Sequence, residues 1–342
     1  MLKKKSNSLF AEVSHYEIRM ARTDRTAVPI RVESLASIPV QATTETRHAV
    51  EAFAGHARGS FCQAMCAVYP RDRFLHRYYG ENAARSKADD FAEKTLQSEL
   101  RRDPAKTAFR LIHPPTGSAY DPQEALSREI YFVGAGRDCI LEEQKRLIEL
   151  GLYPTRLEIA SVALFAGAKR ALLEEDMDAS ALLLEFSEKA TYGYVVNLNG
   201  LALSHMIDFG IGSIADRIKK ELGLHDILSA RKVMLSKTFD FQDMASKLLE
   251  GLITRVRASS GQFEVQTGRS VRYLFVPGLP ESLDWIGTVL AGELGMERWK
   301  PQLGEWLDRS GITLSEAAAS HEDLHHFLPL FSQMAKLDPR NS

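Results

Sequence analysis

A strand ending of the form Leu-x-x-Glu-x-Ser occurs twice in this chain of 342 residues, as Leu9-Phe10-Ala11-Glu12-Val13-Ser14 and as Leu182-Leu183-Leu184-Glu185-Phe186-Ser187. Each copy is an apolar run closed by a carboxylate, one apolar residue and a serine, and each opens a pattern of three strands. The repeat predicts two related half-domains facing each other across a cleft, and the length leaves room for about two lobes. It also marks Glu12, Ser14, Glu185 and Ser187 as the positions where chemistry would sit.

Segments 8–14, 17–21 and 27–40 read as the first three strands, with 17–22 alternating polar and apolar as a strand with one wet face does. Thr43-Thr44-Glu45 offers a helix start. Segments 61–68 and 74–79 read as strands, 89–101 as an amphipathic helix, and 107–113 and 129–133 as further strands flanking a loop at Pro114-Pro115-Thr116-Gly117 and Asp121-Pro122. A helix over 138–150, a short strand over 156–159 and a helix over 161–173 precede the acidic stretch 174–178, read as a solvated loop. The second half repeats the opening, with strands over 181–186, 191–198 and 201–207. Asn199-Gly200 is a hairpin signal, and Gly210-Ile211-Gly212 turns the chain into a helix over 213–222. Helices over 226–236 and 241–257, a polar loop over 259–268, a strand over 273–276 and a helix over 281–294 follow. Residues 313–336 read as helical, broken near Pro329.

A net charge of −2 gives no general attraction to nucleic acid. Lys3-Lys4-Lys5 lacks the apolar stretch of a signal peptide and reads as a solvated tail, and no segment reaches the roughly 20 apolar residues needed to span a bilayer. Cys62, Cys66 and Cys139 make no disulfide framework and suit a reducing cytosol. Without a Cys or His cluster beside them, Cys62 and Cys66 read as core, one helical turn apart or on one face of a buried strand.

The order strand–strand–strand–helix, inserted lobe, then strand–strand–strand–helix resembles the actin/Hsp70/sugar-kinase superfamily, a duplicated ribonuclease H-like α/β fold. Three passages carry a closer resemblance: Ile130-Tyr131-Phe132-Val133-Gly134-Ala135 followed by a helix and Gly151-Leu152-Tyr153-Pro154-Thr155-Arg156-Leu157-Glu158; Ile207-Asp208-Phe209-Gly210-Ile211-Gly212; and Tyr273-Leu274-Phe275-Val276-Pro277-Gly278-Leu279-Pro280. They are similar to the PilM family of type IV pilus assembly proteins and, more distantly, to the cytoplasmic part of the type II secretion protein GspL. The resemblance implies a first lobe over 1–66 and 135–180, an inserted subdomain over 67–134, a second lobe over 181–300 and helices over 301–342 that return to the first lobe. It implies a cytoplasmic scaffold, peripheral to the inner membrane, that captures the N-terminal tail of a PilN-like single-span membrane protein. Nucleic acid is not an expected partner, and the membrane is reached only indirectly.

Active members of the superfamily place Asp-x-Gly at the first hairpin of each half, where the short acid positions a Mg²⁺-bound water and the glycine lets backbone N–H groups approach phosphates. Here both sites read Glu-x-Ser. The base-binding turn carries Val276-Pro277-Gly278 where the family has a double glycine, and the proline removes a donor. Glu12, Ser14, Glu185, Ser187, Gly210, Gly212 and Gly278 thus outline the remnant of a nucleotide cleft. A Gly-x-Gly before a helix can cradle an anion, but Gly210 and Gly212 also follow from a sharp strand-to-helix turn. The expectation is a scaffold without cofactor or metal. The alternative is a Mg-ATP-binding actin-like ATPase or sugar-kinase-type enzyme with Glu185 orienting the nucleophile.

His321-Glu322-Asp323-Leu324-His325 matches His-Glu-x-x-His, which on a helix places two histidines on one face for Zn²⁺. No third ligand follows at a suitable spacing, since position 327 is Phe and Asp338 adjoins Pro339. Ser320-His321-Glu322-Asp323 is read instead as a helix N-cap with an acidic first turn.

Overall fold

The first strand, β1 (Ser8–Val13), is apolar on both faces because both faces are covered. In the computed structural model of the chain, the described residues are 8–25, 28–40, 42–55, 59–80, 88–113, 120, 128–236, 238–321 and 323–337. β2 (Glu17–Thr23) folds back antiparallel on β1, placing Arg19 opposite Glu12 and Ile18 opposite Val13. The expectation of one wet face on β2 is corrected here. Arg19 is buried, because two carboxylates compensate its charge.

β3 (Ile30–Pro39) completes the meander, and α1 (Thr43–Ala54) follows it, ending on Gly55 in the left-handed region. β4 (Cys62–Val68) then lies parallel to β1. Cys62 and Cys66 share one buried face of β4, within a core that includes Val13, Ile18, Met20, Val50, Leu147 and Leu152. Burial pushes the Cys66 thiol up to about 12, so it packs as an inert apolar group.

An insertion follows. β5 (Phe74–Tyr79), α2 (Ala88–Ser98), β6 (Thr107–Ile112) and β7 (Glu129–Gly136) form a three-stranded sheet with β7 in the centre and one helix. It has its own core of Phe91, Leu111, Tyr120, Ile130 and Phe132. The Phe91 ring meets Tyr78 edge-on, with centroids 5.0 Å apart. The loops expected at 114–117 and 121–122 lie outside the described residues.

α3 (Arg137–Glu149), β8 (Leu152–Ile159) and α4 (Ala160–Glu174) lead to the second repeat. There β9 (Ser180–Phe186), β10 (Thr191–Asn197) and β11 (Gly200–Ile207) form another antiparallel meander. α5 (Ile211–Glu221), α6 (Ile227–Leu235) and α7 (Ala245–Thr267) follow, then β12 (Val271–Phe275), α8 (Asp284–Leu294) and β13 (Glu297–Arg298). The sheet orders carry the duplication. One sheet runs β3-β2-β1-β4-β8 and the other β11-β10-β9-β12-β13. In each, a three-strand meander is extended on its first strand by parallel neighbours.

The chain ends with α9 (Gly304–Arg309), β14 (Ile312–Leu314), α10 (Glu316–Ala319) and α11 (Leu328–Ala335). β14 joins the outer side of β3 as a sixth strand. Two compact units result, one from Met1–Ala171 with Gln302–Ser342 and one from Leu172–Pro301.

Two further expectations fail. The loop expected over 259–268 is the last part of α7, because the buried stripe Leu248, Leu252, Val256, Ser260 and Phe263 continues through it at helical spacing. Residues 313–336 are not one broken helix. They supply β14 and then short helical pieces, and Pro329 lies in the first turn of α11, where its missing N–H costs nothing. Among the described residues, no helix is long and apolar enough to cross a membrane.

Candidate functional site: two serine-closed hairpins

The β1–β2 hairpin closes on Ser14. Its N–H and its hydroxyl both donate to the Glu17 carbonyl, at 3.0 and 2.9 Å, and its Oγ accepts from the N–H groups of Tyr16 and Glu17 at 3.2 and 3.0 Å. The β9–β10 hairpin closes on Ser187 by the same device. The Ser187 N–H and hydroxyl both donate to the Ala190 carbonyl at 2.8 Å, and the Ala190 N–H donates to Ser187 Oγ at 3.1 Å. A serine that bridges its own turn in this way replaces the main-chain flexibility of a glycine with a fixed loop. At each hairpin the N–H groups nearest the serine are spent inside the turn. In the first, the Ser14 carbonyl also accepts from Arg146, which pairs with Glu143. Burial raises the Glu143 carboxyl above its usual range, against the pull of Arg146.

Both glutamates are buried against a tyrosine. Glu12 is 1% exposed and accepts a short hydrogen bond from the Tyr69 hydroxyl, with the Arg19 guanidinium 3.8 Å away. Arg19 also binds Glu17. The Tyr69 ring lies under Arg73, whose Nε donates to Ser161 Oγ at 2.9 Å, so the group continues into the core. Glu185 is 2% exposed and accepts from the Tyr194 hydroxyl at 3.4 Å. Each glutamate therefore meets a tyrosine, Tyr69 for one and Tyr194 for the other.

The sequence reading missed both tyrosines, whose positions follow from the register of the paired strands. β1 and β4 pair in parallel with Glu12 beside Ala67, so Tyr69, two residues further on, falls on the face that carries Glu12. Tyr192 lies opposite Glu185, and Tyr194 is its diagonal neighbour, within reach of a long side chain.

Gly210 and Gly212 shape a turn that leaves no anion cradle. A Cβ on Gly210 would stand 2.5 Å from the carbonyl oxygens of Ser187 and Glu188 and 2.7 Å from the Ala190 nitrogen. The first N–H groups of α5 point at the hairpin, Ile211 donating to Ser187 O at 3.0 Å and Gly212 to Glu188 O at 2.9 Å. These donors, which a phosphate would need, are taken by carbonyls. Glu188 itself pairs with Arg231 of α6. Gly278 is different: its φ of +81° needs a glycine, while a Cβ there would meet open space. A Gly210→Ala variant is expected to lose about 1–3 kcal/mol of stability by overpacking against backbone, read as a lower midpoint in urea. An unchanged midpoint would show that the turn can open.

In these two hairpins each glutamate meets a tyrosine, both turns are closed by serine, and the N–H groups of Ile211 and Gly212 are used by carbonyls.

The His-Glu-x-x-His segment also departs from expectation. Glu322 lies outside the described residues. Ser320 ends α10 instead of capping a helix, Asp323 takes a left-handed backbone with φ 57°, and Leu324–Phe327 is a 3₁₀ turn. His321 packs edge-on against Phe327 with centroids 4.8 Å apart, so it does not share a helical face with His325.

The repeated 3-2-1-4-5 strand order, with an insertion in the first repeat, defines an actin-like two-lobe fold. Comparison with protein-family models and with curated protein sequences gives no match. Among solved structures, the chain is similar to one titled as the PilM–PilN type IV pilus biogenesis complex, at TM-score 0.68 and 16% identity over 98% of this chain and 99% of that one. The PilM-like resemblance read from the sequence therefore holds at the level of the fold. Looser likenesses are an actin-like ATPase-fold protein of Bacteroides thetaiotaomicron (TM-score 0.43, 10% identity, 95% and 96% covered) and the cytoplasmic domain of EpsL, an inner membrane component of the Vibrio cholerae type II secretion system (TM-score 0.41, 12% identity, 96% and 94% covered). At those scores neither carries weight.

Proposed function

We propose that this chain is a non-catalytic scaffold of a type IV pilus or type II secretion-like inner-membrane platform, binding the N-terminal cytoplasmic tail of a PilN-like membrane protein. The observation that carries this reading is the end-to-end fold similarity to the PilM–PilN complex structure. The closed hairpins support its non-catalytic part, since Glu12 and Glu185 are buried on tyrosines where a metal-binding acid would face water and phosphate.

The inserted sheet offers a place for an extended peptide. β5 and β6 are its outer strands, and among the described residues no strand pairs with the outer side of β5. Tyr79, at the end of β5, is 69% exposed. A tail added alongside β5 would gain main-chain hydrogen bonds from the edge and specificity from alternate side chains.

One titration with two arms tests the proposal. A labelled N-terminal peptide of a PilN-like membrane protein is expected to bind in the micromolar range by fluorescence anisotropy. Millimolar Mg-ATP is expected to leave the melting temperature unchanged, whereas a ligand at 100 times its Kd adds about 2.7 kcal/mol. No peptide binding at high micromolar concentration overturns the scaffold. A clear nucleotide shift reinstates the ATPase.

A further inference from the structure

We propose that Asp323, His325 and His326 form a binding site for a divalent transition-metal ion. The inference is independent of the scaffold reading. These residues offer one carboxylate oxygen and two imidazole nitrogens, all within 4.8 Å of one another. Asp323 Oδ1 lies 3.8 Å from His325 Nδ1, and the two imidazole rings have centroids 4.3 Å apart, tilted by 35°.

Neighbouring side chains on a 3₁₀ turn point about 120° apart, since the turn has 3.0 residues. His325 and His326 nevertheless lie side by side. The left-handed backbone of Asp323 folds its carboxylate back over the same turn, and the His326 N–H donates to the Asp323 carbonyl at 3.0 Å. Asp tolerates this conformation better than most residues. Three ligating groups within four consecutive residues, 323–326, are thus gathered by one short turn.

The donor set selects the metal. Imidazole with one carboxylate suits Zn²⁺, Co²⁺, Ni²⁺ or Cu²⁺, whereas Mg²⁺ and Ca²⁺ prefer all-oxygen shells. Tetrahedral Zn²⁺ with bonds of roughly 2.0–2.2 Å places its ligands about 3.3 Å apart. Closing from 4.8 Å needs modest side-chain rotations. Asp323 is exposed, His326 half-buried and His325 the most buried of the three, so His325 serves as the fixed point. This set differs from the one the His-Glu-x-x-His pattern suggests, because His321 is turned to Phe327.

The role assigned to the ion is structural. The turn leads directly into α11, every residue of which is buried and which packs on β1, β2 and β14. An ion holding the turn would fix the entry of that helix.

The test is a Co²⁺ and Zn²⁺ titration of the full chain after chelator treatment. A single equivalent of Co²⁺ is expected to bind at micromolar affinity or tighter, with visible ligand-field absorption that Zn²⁺ displaces, and Zn²⁺ is expected to raise the melting temperature. His326→Ala is expected to abolish the absorption. Asp323→Asn, at an exposed position, is expected to weaken binding about tenfold with unchanged circular dichroism. His225→Ala, at an exposed position of the other unit, is expected to leave binding intact. Absence of saturable binding overturns the proposal, as does binding that survives both His326→Ala and Asp323→Asn. Equal weakening by His225→Ala would show an adventitious ion only, and likewise overturns it.

Discussion

Trp306→Ala is expected to lower the unfolding free energy by about 3–5 kcal/mol, the range for removing a buried large aromatic. Trp306 is 1% exposed, its indole N–H donates to the Gly167 carbonyl of α4 at 3.2 Å, and the Arg170 guanidinium lies 5.5 Å from its ring. The contact ties α9 to α4, and it belongs to a wider seam in which Gly167 faces Leu328 of α11, where an added Cβ would stand 3.0 Å from that leucine. Truncation leaves a cavity in a seam that cannot collapse, since helices already meet there at glycine distance. Of the three tryptophans, Trp285 and Trp299 lie in the other unit, so the variant should be followed by circular dichroism, with their fluorescence reporting the second unit separately. A loss below about 1 kcal/mol would mean that the C-terminal segment contributes little to the first unit.

Glu12→Ala is expected to cost about 3 kcal/mol or more, the scale for stranding one member of a buried charged pair. The Arg19 side chain, 3% exposed, would keep only Glu17, and Tyr69 would lose its acceptor. Glu12→Gln keeps the length and an acceptor for Tyr69, so it should recover much of the loss. The measurement also separates two roles for this glutamate. A side chain retained for a ligand typically lowers stability, and its removal is neutral or stabilising. Stability that rises in Glu12→Ala would point back to a nucleotide site and against the scaffold.

The duplicated strand endings made the architecture legible from sequence. Their value lies in period and order: an apolar strand, a carboxylate and a tight turn, twice, with a Gly-x-Gly turn into a helix in the second copy. The turn at Gly210 was legible too, since a close approach of backbone to backbone leaves glycine as the residue that fits. Partners distant in sequence were not legible. Tyr69 is 57 residues from Glu12, and only the register of β1 on β4 brings them together. Ile312 pairs with Ile30, so a strand at 312–314 has no local cause that a window of sequence would display. The polar stretch after Ser259 misled for the opposite reason. Ser and Gly signal loops locally, but Ser260 and Phe263 sit on the buried stripe of α7, and packing overrides propensity. The serines stand where the superfamily has glycine, and each bridges its own turn.

The pairing of β14 with β3 has a consequence for synthesis. Ser315 Oγ binds the Glu33 carbonyl at 2.7 Å across 282 residues of chain. At about 5–20 residues per second, a ribosome needs roughly 15–60 s to deliver that partner. During this interval the Leu172–Pro301 unit, continuous in sequence, emerges whole and is free to fold. The β1–β3 meander meanwhile waits with the outer side of β3 uncovered and without α11. An open strand edge invites pairing with other chains, so the N-terminal sheet is exposed to mispairing throughout that interval, and a chain truncated before residue 312 would carry one complete unit and one with an open edge.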